Sequence, residues 1–152
     1  MKKLVGPVLV AVIVVFGAGV ASVMAVWSAE NRVTDDFVAR ANRFAIPADW
    51  TQLSDIVRRE QFPCLSTNPC PNMSRRWSTD IEFTPADLLA IASPAGITLK
   101  VDKVCQRQAN VSGDATLCTG TGNDGKYVYY LTAVSPGVGE MQELVLNVEP
   151  LR

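Results

Sequence analysis

The uncharged run from Leu4 to Trp27 constrains this chain more than any other feature, and it follows directly on Lys2 and Lys3. As a helix, its 24 residues would extend about 36 Å, because an α-helix rises ~1.5 Å per residue. That length covers the ~30 Å hydrocarbon core of a bilayer. The run therefore predicts a transmembrane anchor over residues 1–27, and the two lysines predict a cytoplasmic N-terminus.

A second interpretation of the same run is a cleaved signal peptide. The small residues around Val23 and Ala25 would allow signal peptidase to cut after Ala25. The run is longer than the apolar region of about 7–15 residues that is typical of such peptides, which favours a retained anchor.

Small residues recur at every fourth position of the run, at Gly17, Ala21 and Ala25. At this spacing they would line one face of a helix and let a second membrane helix approach closely. These three residues are therefore candidates for packing against a partner helix, and the alternative is the ordinary abundance of Gly and Ala in membrane helices.

After the run, residues 28–46 are charged but keep an apolar period close to that of a helix, which predicts a helical stalk or linker. Pro47 would end this helix. Residues 47–152 are enough for one extracytoplasmic domain with a single core.

The charge balance restricts the partners of that domain. Without Lys2 and Lys3, the chain has 12 basic and 15 acidic side chains, and this net negative charge argues against nucleic-acid binding. The apolar run makes the lipid bilayer one expected partner, and another membrane or cell-envelope protein is the other.

All four cysteines, Cys64, Cys70, Cys105 and Cys118, follow the apolar run. An even number of cysteines in an exported domain indicates disulfides, because these bonds persist in oxidising compartments. Three pairings exist, and we predict Cys64–Cys70 and Cys105–Cys118 because each pair encloses a short polar segment. The chain has no histidine and no CxxC spacing, which argues against a zinc site.

Residues 49–61 fit two interpretations. As a helix, the segment would begin with Asp49 as its cap. As a strand, it would pair with residues 72–83 across the loop closed by Cys64 and Cys70. We favour the strand, because a short covalent loop brings its two flanks together.

Four arginines flank this loop. A hairpin symmetric about Thr67 would place Arg58 opposite Arg76 and Arg59 opposite Arg75. Like charges in directly opposite positions destabilise a sheet. Either the register is shifted, or the first arm is helical, or the four arginines form a surface that meets an anionic group of a partner.

One short helix is marked by its capping residues. Thr84 is suited to the N-cap, Pro85 to the first helical position and Asp87 to the first turn, and Ser93-Pro94 would end the helix.

Strand patterns account for most of the remaining chain. Apolar and polar residues alternate over 97–105, and residues 115–121, 127–134 and 143–148 have the composition or alternation of strands. The predicted fold class is therefore α+β. An N-terminal transmembrane helix would precede a small domain with a mainly antiparallel sheet and one short packed helix.

No motif points to catalysis, a cofactor or a metal. The chain lacks histidine and any SxxK or GxSxG frame. Adjacent acids such as Asp80 with Glu82, or Asp35 with Asp36, are typical of solubilising surface residues. An envelope enzyme that used carboxylates would instead need an acid with a raised pKa in a cleft. We therefore expect no enzymatic activity.

The sequence also contains a glycine pattern known from nucleotide-binding proteins. Gly120, Gly122 and Gly125 match GxGxxG, but they lie between two predicted strands and open no helix. The pattern therefore indicates a hairpin turn.

The order of Cys64, Cys70-Pro71, Arg76-Trp77 and a capped helix ending at Gly96 resembles small single-pass extracytoplasmic proteins of high-GC Gram-positive bacteria. The resemblance covers roughly residues 47–106. It implies an extracytoplasmic location and the use of disulfides, and it implies no mechanism.

These features predict a single-pass protein of the cell membrane whose C-terminal domain is extracytoplasmic, disulfide-bonded and engaged in binding or scaffolding. The alternative is a small secreted binding or inhibitory protein, released by signal peptidase after Ala25.

Overall fold

A computed structural model describes residues 5–60, 70–108 and 111–151 of the chain, and for residues 5–21 it describes the backbone alone. The described residues form two α-helices, one 3-10 turn and six strands. These elements are α1 (Val5–Ala41), β1 (Thr51–Arg58), β2 (Asn72–Thr79), α2 (Pro85–Ala92), the 3-10 turn Ser93–Ala95, β3 (Lys100–Val101), β4 (Ala115–Asn123), β5 (Tyr127–Ser135) and β6 (Gln142–Pro150).

The six strands form one sheet in the order β1-β2-β6-β5-β4-β3, and each neighbouring pair is antiparallel. Side chains alternate between the two faces, as strand geometry requires. In β5, every second residue from Tyr127 to Ser135 is buried and the residues between them are partly exposed. The core therefore lies on one face of the sheet, and the other face is open.

Both helices cover the buried face. Phe37 and Ala41 of α1 are buried, and the ring of Phe37 meets that of Tyr127 edge-on, with 5.2 Å between the ring centroids. Leu88 and Ile91 of α2 are buried in the same core. The segment 28–46, predicted as a stalk or linker, thus contributes side chains to the core of the domain.

The predicted fold class is wrong in its helices. Among the residues whose side chains are described, from 22 onward, no helix is long and apolar enough to cross a membrane. The described part of α1 has five charged side chains within residues 22–41 and packs on the sheet. Two helices therefore pack on the sheet, where the prediction had one. The side chains of residues 1–21 lie outside the described residues.

The predicted start of α2 is confirmed. The Thr84 hydroxyl accepts a hydrogen bond from the N–H of Asp87, and the Asp87 carboxylate accepts one from the N–H of Thr84. This capping box satisfies backbone donors that a helix start leaves unpaired, and Pro85 follows at a position that needs no donor.

The strand predicted over 97–105 is much shorter in the structure, where β3 contains only Lys100 and Val101. A Cβ added to Gly122 of β4 would lie 2.6 Å from the carbonyl oxygen of Thr98. Because a Cβ projects from the face of a sheet, the chain before β3 crosses over that face of β4. It reaches the sheet edge only at Lys100.

Candidate functional site

Within the segment 49–61, residues Thr51–Arg58 form strand β1, as favoured from the sequence, but the hairpin is not symmetric about Thr67. Asp55 lies opposite Arg75, and Arg58 lies opposite Asn72. A register irregularity between Gln52 and Ser54 moves the pairing further from the symmetric register. The shifted register replaces the pairing of like charges with an opposite-charge pair, which stabilises a sheet.

The shifted register also separates the predicted arginines. Arg75 contacts Asp55 at 2.9 Å and donates a hydrogen bond to Asn42. Arg76 projects from the opposite face of β2, where it contacts Glu143 at 3.3 Å. The four arginines are therefore not gathered on one face, although a partner role for Arg58, Arg59, Arg75 and Arg76 stays a prediction.

The predicted disulfide between Cys105 and Cys118 is confirmed, with a Cα–Cα distance of 4.7 Å. Both cysteines belong to the core cluster, and Cys118 is fully buried. The bond links the segment after β3 to β4. Cys70 is also disulfide-bonded, but its predicted partner Cys64 lies outside the described residues, and that pairing stays a prediction.

The glycines of the GxGxxG pattern have structural roles. A Cβ on Gly120 or Gly122 would approach Leu99 or the Thr98 carbonyl group, so both glycines let the crossing chain lie close to β4. Gly125 has a φ of +83° in the turn between β4 and β5, which favours glycine. The pattern therefore belongs to a close packing contact and a hairpin turn.

Of the residues predicted to pack on a second helix, Gly17 and Ala21 lie outside the residues whose side chains are described. Ala25 is exposed on α1, and the neighbouring side chain of Trp27 is 62% exposed. Their role in helix packing stays a prediction.

A cluster of charges that the sequence did not reveal joins α1 to the hairpin of β4 and β5. We call Asp36, Arg40, Asp124, Lys126 and Tyr129 the helix–hairpin cluster. Arg40 contacts Asp124 at 2.5 Å and Asp36 at 3.1 Å, and Lys126 contacts Asp36 at 2.8 Å. The Tyr129 hydroxyl donates a hydrogen bond to Asp124. This network fixes the helix to the sheet through opposite charges.

The ionisation of the cluster follows from these contacts. Partial burial alone would raise the pKa of Asp124, but hydrogen bonds from the backbone of Tyr127 and Lys126, from Tyr129 and from Arg40 lower that pKa to about 2. Burial and the bond to Asp124 raise the pKa of Tyr129, which keeps its hydroxyl a donor. Because every member is engaged in holding the fold, we assign the cluster a structural role.

A small cleft of about 290 Å³ lies between α1 and the residues after β1. Glu60 lines it beside Glu30, and partial burial, followed by repulsion from Glu30, raises the pKa of Glu60. A raised carboxylic pKa in a cleft is what the enzyme alternative required. The backbone N–H of Glu60 donates to Thr34, and Trp27 at the cleft is largely exposed. The cleft is thus an open surface feature.

Two adjoining clefts of about 370 and 330 Å³ lie at the end of the sheet where β2 and β5 finish and β6 begins. We call them together the end groove. Both clefts are lined by Glu82, Arg107 and Gln142. Its walls are formed by three segments of the chain, residues 80–85, 104–107 and 135–142.

Arg107 holds the walls of the end groove together. Its guanidinium group donates to the carbonyl oxygen and hydroxyl of Ser135 at 2.8 Å each, and to the carbonyl oxygens of Val111 and Gly113. Gln142 accepts a hydrogen bond from the N–H of Phe83, which ties β6 to the segment before α2. The groove is therefore built on hydrogen-bonded loops.

The end groove is acidic. Asp80, Glu82 and Glu140 line it, and within the described part of the chain none of these three carboxylates makes an ion pair or a hydrogen bond. Among the described residues that line it, Arg107 is the only basic one, and its guanidinium group donates to carbonyl groups. The described residues contain no group of three or more His, Cys, Asp or Glu side chains that could hold a metal ion.

Comparison with known proteins finds no match for this chain among protein families, curated proteins or solved structures.

Proposed function

We propose that the chain is an exported, disulfide-bonded binding domain that attaches to another component of the cell envelope. The observation that carries this proposal is the buried bond between Cys105 and Cys118. Disulfides form and persist in oxidising compartments, whereas reducing compartments keep such pairs as thiols. The absence of histidine from the sequence supports a role in binding rather than catalysis.

The proposal is tested by co-purification of the full chain from its source cells after cross-linking. We expect a defined envelope protein to be cross-linked to residues of the domain, at sites that mass spectrometry can locate. Recovery of the chain without any cross-linked partner, over a range of cross-linker lengths, would argue against a binding function.

A second candidate, a protein released after Ala25, is favoured by the exposure of α1 around that residue. The described residues from Ser22 to Ala29 are all exposed, and from Ser22 onward the first buried side chain of α1 is that of Thr34. Cleavage after Ala25 would therefore remove no described core side chain. The N-terminal sequence of the mature protein distinguishes the two candidates, because the released form begins at Val26.

The lipid bilayer was the other partner expected from the sequence. The side chains on which that expectation mainly depends, before residue 22, lie outside those described, and it stays a prediction.

A further inference from the structure

We infer that the end groove docks a basic segment of the partner protein, one in which lysine or arginine alternates with apolar side chains. This inference rests on the proposed binding function and specifies its surface. It starts from the negative charge of the groove, where Asp80, Glu82 and Glu140 make no ion pair within the described residues. Other acids of the domain, such as Asp55 and Asp124, are paired with arginines.

A second and independent observation is the position of exposed apolar side chains. From residue 28 to residue 151, eight large apolar side chains are exposed among the described residues, and two of them, Val104 and Val138, line the end groove. Val138 is 85% exposed. Exposed apolar side chains in a concave surface are typical of a site for a protein partner.

The chemistry of the occupant follows from both observations. A basic side chain would meet the free carboxylates, and an apolar neighbour would cover the exposed side chains at the rim. The guanidinium group of Arg107 also lies at this site. It already donates to carbonyl groups, so it competes little with the partner's basic side chain for the carboxylates. Complementary charge would mainly set the choice of partner, and apolar contact would add affinity.

The experiment uses the full chain and a short synthetic peptide with lysine and leucine at alternate positions, and a control peptide has glutamate in place of lysine. We expect the basic peptide to bind, with an affinity that falls as salt is added, and the acidic peptide not to bind. Amide chemical shifts of residues 80–85, 104–107 and 137–142 should change on binding.

The decisive variant carries Asp80→Asn, Glu82→Gln and Glu140→Gln. We expect about a ten-fold loss of affinity for the basic peptide, because each exposed ion pair contributes a factor of a few. A matched variant with Asp35→Asn, Asp114→Asn and Glu149→Gln removes the same charge elsewhere and should bind like the natural chain. A Val104→Ser, Val138→Ser variant should bind more weakly but keep the same salt dependence.

Any one of four results would overturn the inference. The two triple variants could bind the basic peptide equally well, or both peptides could bind alike. The basic peptide could also fail to bind, or the chemical shifts could change only on another surface. The proposed function is tested separately by the oxidation state of Cys105 and Cys118 in the source cells. If these cysteines are bonded and the peptide does not bind, only the docking site fails. If the peptide binds and the cysteines are reduced, the exported function fails.

Discussion

Gly122 lies where the chain before β3 crosses the face of β4, and a side chain at this position would have no room. A Cβ there would be 2.6 Å from the Thr98 carbonyl oxygen and 2.8 Å from a methyl carbon of Ile97. We predict that Gly122→Ala lowers the free energy of unfolding by about 2 kcal/mol, as overpacking does in well-packed cores. Urea denaturation measures this loss.

Gly120→Ala is the matched control for that substitution. Its Cβ would lie 3.0 Å from the end of the Leu99 side chain, whereas a Cβ on Gly122 would lie 2.6 Å from a backbone carbonyl oxygen, which is harder to displace. We expect a smaller loss than for Gly122→Ala. A loss at Gly120 that equals or exceeds the loss at Gly122 would contradict the account of the crossing chain.

The lowered pKa of Asp124 makes the free energy of unfolding depend on pH. Its pKa falls from an ordinary value of 3.8 to about 2 in the folded chain, so its contribution is complete above about pH 5. That contribution is lost as the pH falls below 4 and through 2. We predict that Asp124→Asn costs about 2 kcal/mol at pH 7 and progressively less between pH 4 and pH 2.

The difference between the natural chain and the Asp124→Asn variant, measured by denaturation at each pH, tests this prediction. Asp35→Asn, on the exposed side of α1 and without an ion pair in the described structure, should show no comparable difference. A difference for Asp124→Asn that stays constant from pH 7 to pH 2 would mean that the helix–hairpin cluster does not stabilise the fold through this charge.

At the scale of elements, α1 belongs to the folded domain through its C-terminal part. Phe37 is fully buried against Tyr127. We predict that Phe37→Ala lowers the free energy of unfolding by about 3–4 kcal/mol, the usual range for a large buried aromatic residue. Trp27→Ala, on the same helix but exposed, should change it by less than about 0.5 kcal/mol. Equal losses of stability for Phe37→Ala and Trp27→Ala would mean that α1 does not belong to the core.

The disulfide joins two further elements, the segment after β3 and strand β4. It spans 13 residues, and closing a loop of this length stabilises the folded chain by about 3 kcal/mol in the loop-entropy account. We predict a loss of about 2–3 kcal/mol for a variant with both Cys105 and Cys118 changed to alanine. Thermal denaturation of that variant at neutral pH would show it, and an unchanged midpoint would contradict the prediction.

Elements marked by local chemistry were predictable from the sequence. Thr84, Pro85 and Asp87 specify the start of α2 within four residues, and the aromatic and β-branched composition of residues 127–134 predicted β5. The register of β1 on β2 was not predictable from symmetry about the loop, because Arg58, next to the loop, already lies opposite Asn72 and not opposite Arg76. An irregularity between Gln52 and Ser54 then shifts the register further.

At the scale of the whole molecule, features that join distant parts of the sequence escaped prediction. Arg40 and Asp124 are 84 positions apart, and no local pattern announces their contact. The end groove combines three loops whose approach depends on the order of strands in the sheet. The alternation of Ile97 and Leu99 predicted their burial, but the short β3 depends on how the chain crosses the glycines of β4.

We propose that this fold works as an exported domain closed by the disulfide between Cys105 and Cys118. The most direct test treats intact source cells with a thiol-blocking reagent before lysis and then maps the cysteine peptides under non-reducing conditions. We predict that the peptides of Cys105 and Cys118 are linked to each other and unblocked. Both cysteines blocked as free thiols, or either one linked to Cys64, would contradict the claim.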